Sequence, residues 1–156
     1  MSDIRLRLLT ADDLEMILHH RRAMFTDMGV GTEEERDEMT VRSREWLREY
    51  LPKGLYAGFM AENERGEVIG GAGLWLQDWM AAPLTLNRQR GYIMNVYVEH
   101  EYRRQGIASR LTSACVDECR RRGITMIYLH YSNEGRLVYE KLGFTMGREM
   151  RFEVKS

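Results

Sequence analysis

Apolar residues recur along this chain with a spacing that switches between two and three to four, and the switches mark its elements. Ile4, Leu6 and Leu8 alternate with Asp3, Arg5 and Arg7, as on a half-buried strand. Thr10-Ala11-Asp12-Asp13 carries the Thr-x-x-Asp pattern of a helix start, and Leu14, Ile17, Leu18, Phe25 and Met28 follow on one helical face as far as Gly29. Thr32 with Glu35 forms a second capping box. It opens a helix that presents Met39, Trp46, Leu47, Tyr50 and Leu51 and stops at Pro52 and Gly54.

From Leu55 the period falls to that of strands. Leu55 to Glu62, a turn at Asn63-Glu64-Arg65-Gly66, and Glu67 to Leu76 predict a β-hairpin. Gly70, Gly71 and Gly73 in its second strand predict a bulge or a close approach to another backbone. Asp78 to Arg90 is predicted as a loop and Tyr92 to Val98 as a strand. Ile107 to Arg122 is a helix ended by Gly123, with Thr125 to Tyr131 a further strand. After a turn at Asn133-Glu134-Gly135, Arg136 to Leu142 is a short helix closed by Gly143, and Phe144 to Val154 predicts two short strands around Gly147. The order β-α-α-β-β-β-α-β-α-β-β implies a mixed α/β fold: a central sheet, mostly antiparallel and partly parallel, with helices on both faces.

A length of 156 residues suits a single domain spanning 1–156, long enough for a sizeable core. With 44% apolar and 30% charged residues the chain reads as an ordinary globular protein. A net charge of −1 offers nucleic acid no bulk attraction. No window is apolar for long enough to cross a bilayer, and Met1 to Arg5 lacks the apolar core of a signal peptide. Cys115 and Cys119, four apart on a predicted helix, are badly placed for a disulfide. A reduced, cytoplasmic protein is therefore expected.

The chemistry concentrates in Arg103-Arg104-Gln105-Gly106-Ile107-Ala108, between the strand ending at Val98 and the long helix. Free N–H groups and the dipole of a helix start favour an anion, and arginines add charge-assisted hydrogen bonds to phosphate oxygens. Gly106 lets a ligand approach the backbone, so a pyrophosphate is the expected occupant. No Lys-Ser/Thr pair follows Gly106, which argues against nucleotide hydrolysis with magnesium.

Two motifs together resemble the GCN5-related N-acetyltransferases. Arg103-x-x-Gly106-x-Ala108 fits that superfamily's phosphate turn, and Leu137-Val138-Tyr139-Glu140-Lys141-Leu142-Gly143-Phe144 fits its helix bearing a Tyr before Gly-Phe. The element order agrees over nearly the whole chain. The resemblance implies direct transfer of acetyl from acetyl-CoA to a primary amine of a small molecule, without a metal. It implies that the backbone of Asn95, Val96, Tyr97 and Val98 pairs with the pantetheine arm, and that Arg103, Arg104, Gln105, Gly106, Ile107 and Ala108 hold the pyrophosphate. Tyr139 would then stand by the thioester sulfur as acid or hydrogen-bond donor. The strands should splay there, with a bulge freeing an N–H to polarise the acetyl carbonyl. The family's Asn, seven residues before the Tyr, falls on Ser132, so either Ser132 replaces it or a one-residue deletion brings in Asn133. Homodimers are common in the family. Two other functions stay open: a non-catalytic acyl-CoA sensor, and an acetyltransferase of proteins or peptides.

The acceptor side is less defined. Glu149, Asp78, Glu99 and His130 are candidate bases, with no feature choosing among them. Trp75 and Trp79 are candidate acceptor contacts, and Met24, Phe25 and Met28 could line its mouth. Asp27, Asp78 or Glu149 would attract an amine, Arg88 or Arg90 an acid. His19 and His20 diverge by about 100° on a helix and cannot share a metal alone. Cys115, mid-helix among apolar neighbours, is core filler before it is a nucleophile.

Overall fold

The computed structural model describes residues 3–155, so that Met1, Ser2 and Ser156 of the expected 1–156 extent lie outside the described residues. Five strands form one sheet in the order β1-β2-β3-β4-β5: β1 (Arg5–Leu8), β2 (Tyr56–Glu62), β3 (Val68–Asp78), β4 (Gln89–Val98) and β5 (Ile127–Leu129). The first four are antiparallel and β5 runs parallel to β4. The helices are α1 (Leu14–Asp27), α2 (Glu33–Tyr50), α3 (Ile107–Arg121) and α4 (Arg136–Lys141). No described helix is long and apolar enough to cross a membrane.

Strand alternation divides the core between the two faces of the sheet. Leu74, Leu76 and Ile93 point to one face, where Ile107, Leu111, Cys115 and Cys119 of α3 cover them. Tyr56, Met60, Trp75 and Met94 point to the other, packed by Ile17 and Leu18 of α1 and Leu47 of α2. Both helix starts form as their sequences require. Thr32 and Glu35 exchange backbone hydrogen bonds at 3.1 and 2.8 Å, and Thr10 and Asp13 do the same around a single 3-10 turn before α1.

Two expectations need correction. Asp78 to Arg90 is not all loop, because β3 runs to Asp78 and β4 begins at Gln89. Polar side chains join this ladder because they pair with one another: Arg90 donates to Gln77 at 2.6 Å and lies over the Trp79 ring at 3.7 Å. Phe144 to Val154 forms no strand, despite its alternation. Phe152 and Val154 are 88% and 83% exposed and bury no apolar face; without such burial, alternation alone does not make a strand. The expected strand Thr125 to Tyr131 shortens to Ile127–Leu129. The glycines of β3 do accommodate a close approach of another backbone, since a Cβ on Gly70 would lie 2.7 Å from the Tyr97 carbonyl oxygen, and a Cβ on Gly73 would collide with the Tyr56 hydroxyl.

Candidate active site

Strand β4 changes character halfway along. Gly91, Tyr92 and Ile93 pair with Ile127, Tyr128 and Leu129, and beyond Ile93 β5 offers β4 no further partner. On its other side the register with β3 slips. Gly73 faces Met94 while Gly71 faces Tyr97, so Asn95 and Val96 together oppose Ala72. This is a β-bulge, and Asn95 within it has φ +55°, a left-handed conformation that Asn tolerates better than most residues. From Met94 to Val98 the backbone therefore has one edge open, next to a bulge.

Asn95 is buried, and both ends of its amide help to hold that shape. Its Nδ2 donates to the Tyr56 hydroxyl at 2.8 Å, and its Oδ1 accepts from Arg21 Nη1 at 2.9 Å. Both partners answer for their burial. The Tyr56 hydroxyl is pushed well above its ordinary value by desolvation, and burial lowers Arg21.

The open edge leads to the start of α3. No side chain caps this helix, and its first intrahelical bond is from Arg110 N–H to the Gly106 carbonyl at 3.1 Å. The N–H groups of Ile107, Ala108 and Ser109 are thus left facing outward at the positive end of the dipole. Gly106 is required for a different reason from the one expected. A Cβ there would meet nothing within 4 Å, but φ is +76°, which glycine alone adopts without strain. Arg104 is likewise left-handed at φ +64° and is exposed. Arg103 is braced: Nε donates to the Val98 carbonyl at 2.7 Å and Nη2 to Asp27 at 2.8 Å, tying the turn to β4 and to the end of α1. Gln105 is exposed in the same turn. Ile107, Tyr97 and Val98 are buried, and Ala108 and Val96 pack against the core, so these five can offer a ligand their backbone.

Tyr139 lies on α4 with its ring edge-on to Phe144 at 6.0 Å between centroids. Burial raises its hydroxyl above the ordinary value, which keeps it protonated at neutral pH. Ser132 fastens the turn into α4, its Oγ accepting from Gly135 N–H at 3.2 Å, while Asn133 is exposed.

On the opposite side of the bulge, α1, α2 and the sheet line a cavity of about 300 Å³ that opens to solvent. Arg21 enters from α1, and Arg42, Ser43, Trp46 and Leu47 from α2. Tyr56, Trp75, Met94 and Asn95 form its floor. Trp46 meets Tyr56 and Trp75 edge-on at 5.7 and 5.5 Å and stacks on Tyr50 at 4.1 Å, giving flat rigid walls.

The sequence model of the Acetyltransferase (GNAT) family matches residues 14–144. The chain belongs to this family. A GCN5-related N-acetyltransferase from Ralstonia eutropha JMP134 is 32% identical and superposes with a TM-score of 0.90, covering 97% of this chain and 99% of that one. A predicted acetyltransferase from Clostridium acetobutylicum, solved with acetyl-CoA, is 25% identical with a TM-score of 0.87, over 98% of this chain and 96% of the other. N-alpha-acetyltransferase 30 of Schizosaccharomyces pombe is 45% identical over 58 residues, which is 35% of this chain and 39% of that protein.

Within this acetyltransferase fold the acceptor-side candidates separate. Trp75 lines the cavity; Trp79 instead covers Arg90. Phe25 lies under the Arg21 guanidinium at 5.1 Å, and neither it, Met24 nor Met28 lines the cavity. Asp78 is paired with Arg88 at 2.9 Å, Glu149 with Arg90 at 2.8 Å, and Glu99 with His19 at 2.9 Å. Asp27 is paired with Arg103, and His130 is exposed beyond β5. The Cys115 thiol is pushed far up by burial, which suits core packing and not nucleophilic attack. Among the described residues no three His, Cys, Asp or Glu side chains gather as a metal set. Reading the sequence missed Arg21 and Arg42. A signal for Arg21 was present: it falls four residues after Ile17 and four before Phe25, inside the apolar stripe of α1.

Proposed function

We propose that this protein transfers acetyl from acetyl-CoA to the primary amine of a small molecule. The observation that carries the reading is the open, bulged edge of β4 standing between the α3 N-terminus and an aromatic-lined cavity. In this reading the free edge from Asn95 to Val98 takes the pantetheine arm as an added strand. The amides at the start of α3 and the exposed Arg104 take the diphosphate, with Arg103 bracing the turn. Ser132 and Asn133 are both candidates for a pantetheine contact, since the Ser132 hydroxyl accepts from Gly135 and keeps its own proton to donate.

The amine reaches the thioester from the cavity. Its lone pair forms the new N–C bond at the acetyl carbonyl, and a backbone N–H released by the bulge stabilises the oxyanion. The C–S bond then breaks and the thiolate takes the Tyr139 proton, while the proton shed by nitrogen leaves through water and restores the phenol. The products are the amide and CoA with a free thiol.

The stretch of likeness to N-alpha-acetyltransferase 30 supports a second reading, acetylation of a protein N-terminus. A cavity of this size, at the low end for metabolite sites and walled by aromatic rings, favours the small molecule. Two measurements test the proposal. Saturating acetyl-CoA should raise the melting temperature, and free thiol should appear when amines are added. Absence of stabilisation refutes the donor assignment. Stabilisation with no thiol release from any amine or peptide would leave a non-catalytic acyl-CoA sensor.

A further inference from the structure

The charge inside the cavity is one-sided. Arg21 and Arg42 supply two guanidinium groups, and none of the lining residues is acidic. Arg42 is exposed and already paired with Glu38 at 2.6 Å. Arg21 is different. Its hydrogen bond goes to the neutral Asn95 amide, its ring contact is to Phe25, and no carboxylate pairs with it among the described residues. Partial burial lowers its pKa, as expected for a half-buried cation without a counter-ion.

A guanidinium carries five N–H donors, and Asn95 uses one. The remaining donors can meet a carboxylate with two parallel hydrogen bonds. An ammonium group on any other part of a ligand finds no acid here to pair with. From these observations we infer that the acceptor carries a carboxylate that binds Arg21, and that it is an α-amino acid with an aromatic or large apolar side chain. The inference rests on the acetyl transfer proposed above.

Position selects the α-amine. Arg21 is one hydrogen bond from Asn95, the left-handed residue of the bulge. A carboxylate on Arg21 holds an amine one carbon away close to the open edge of β4, whereas an amine at the end of a long side chain would be carried past it. The side chain then lies against the joined surface of Trp46 and Trp75, which meet edge-on, and beside Met94. The positive charge of Arg21 also favours the neutral form of the incoming amine, which is the form that attacks.

The test compares free L-phenylalanine, L-tryptophan and L-leucine with their carboxamides, following thiol release from acetyl-CoA. The carboxamides have the more readily deprotonated amines, so intrinsic reactivity favours them. The expected result is the reverse: kcat/KM for the acids exceeds that for the amides by between about ten- and a hundredfold. Arg21→Gln should erase this difference by lowering the acids far more than the amides, and Arg21→Lys should restore part of it. The wild-type comparison needs no variant to fold. Equal use of acids and amides, a preference for amides or peptides, or turnover of none of them while acetyl-CoA still stabilises the protein overturns the acceptor class and leaves the donor assignment standing. Loss of acetyl-CoA stabilisation itself strikes the acetyl-transfer reading instead.

Discussion

His20 should make the stability of this protein fall steeply on mild acidification. The side chain is 1% exposed on the inner face of α1, its Nε2 has no hydrogen-bond partner, and its ring lies 5.4 Å from that of Tyr97 and against Gly71. Burial, with the neighbouring His19 charge, lowers its pKa from the ordinary 6.5 to about 4; Glu99 and Asp13 oppose that shift and are outweighed. The sign follows from proton linkage. The unfolded chain binds a proton near pH 6.5 and the folded one only near pH 4, so protons favour the unfolded state between those values. Stability is complete above pH 6.5 and is lost at about 1.4 kcal/mol per pH unit below it. By pH 5 the loss is about 2 kcal/mol, and by pH 4 about 3 kcal/mol, of a total that is only about 5–15 kcal/mol for a domain. The upper part of this window belongs to His20. Asp13 and Glu118, held below the ordinary carboxylate range by Arg7 and by Arg121 with Arg122, contribute stability that is lost only at lower pH. Urea denaturation followed by tryptophan fluorescence between about pH 7.5 and 5 measures the slope directly. His20→Asn cannot titrate, so its lower stability should change little over the same range. A flat wild-type profile, or a variant that declines in parallel with wild type, would refute the reasoning.

Two further outcomes follow from the site. Tyr139→Phe should lower kcat about tenfold or more while leaving acetyl-CoA stabilisation nearly intact; if both fall together, Tyr139 is a structural residue and not the acid. Asn95→Ala orphans the buried Tyr56 hydroxyl and frees Arg21, and should cost about 2–3 kcal/mol in denaturant unfolding, with loss under about 0.5 kcal/mol showing that the clamp is not needed to hold the bulge.

Local chemistry accounts for what could be read in advance. The capping boxes at Thr10 and Thr32, the glycine at φ +76° before α3 and the amphipathic α3 are written within a few adjacent residues, because caps, turns and helix faces are satisfied by near neighbours. The family motifs around Gly106 and Tyr139 are of the same kind. The tail beyond Phe144 shows the limit: its alternation matches a strand, but a strand also needs an apolar face to bury.

A bulge was expected, but which residues form it, and the cavity beside it, had to wait for the tertiary structure. That Asn95 and Val96 face one residue, Ala72, is a property of two strands in register, and no inspection of β4 alone contains it. The cavity draws Arg21 from α1, Trp46 from α2 and Tyr56, Trp75 and Asn95 from three strands. What makes Arg21 stand out is the missing acid near it, and an absence of that kind exists only in space. The chain's own order therefore determined the proposed donor end of the site, since a helix start binds an anion through consecutive amides. The proposed acceptor end was decided by packing, because a counter-ion's presence or absence depends on side chains that meet only once the helices close on the sheet.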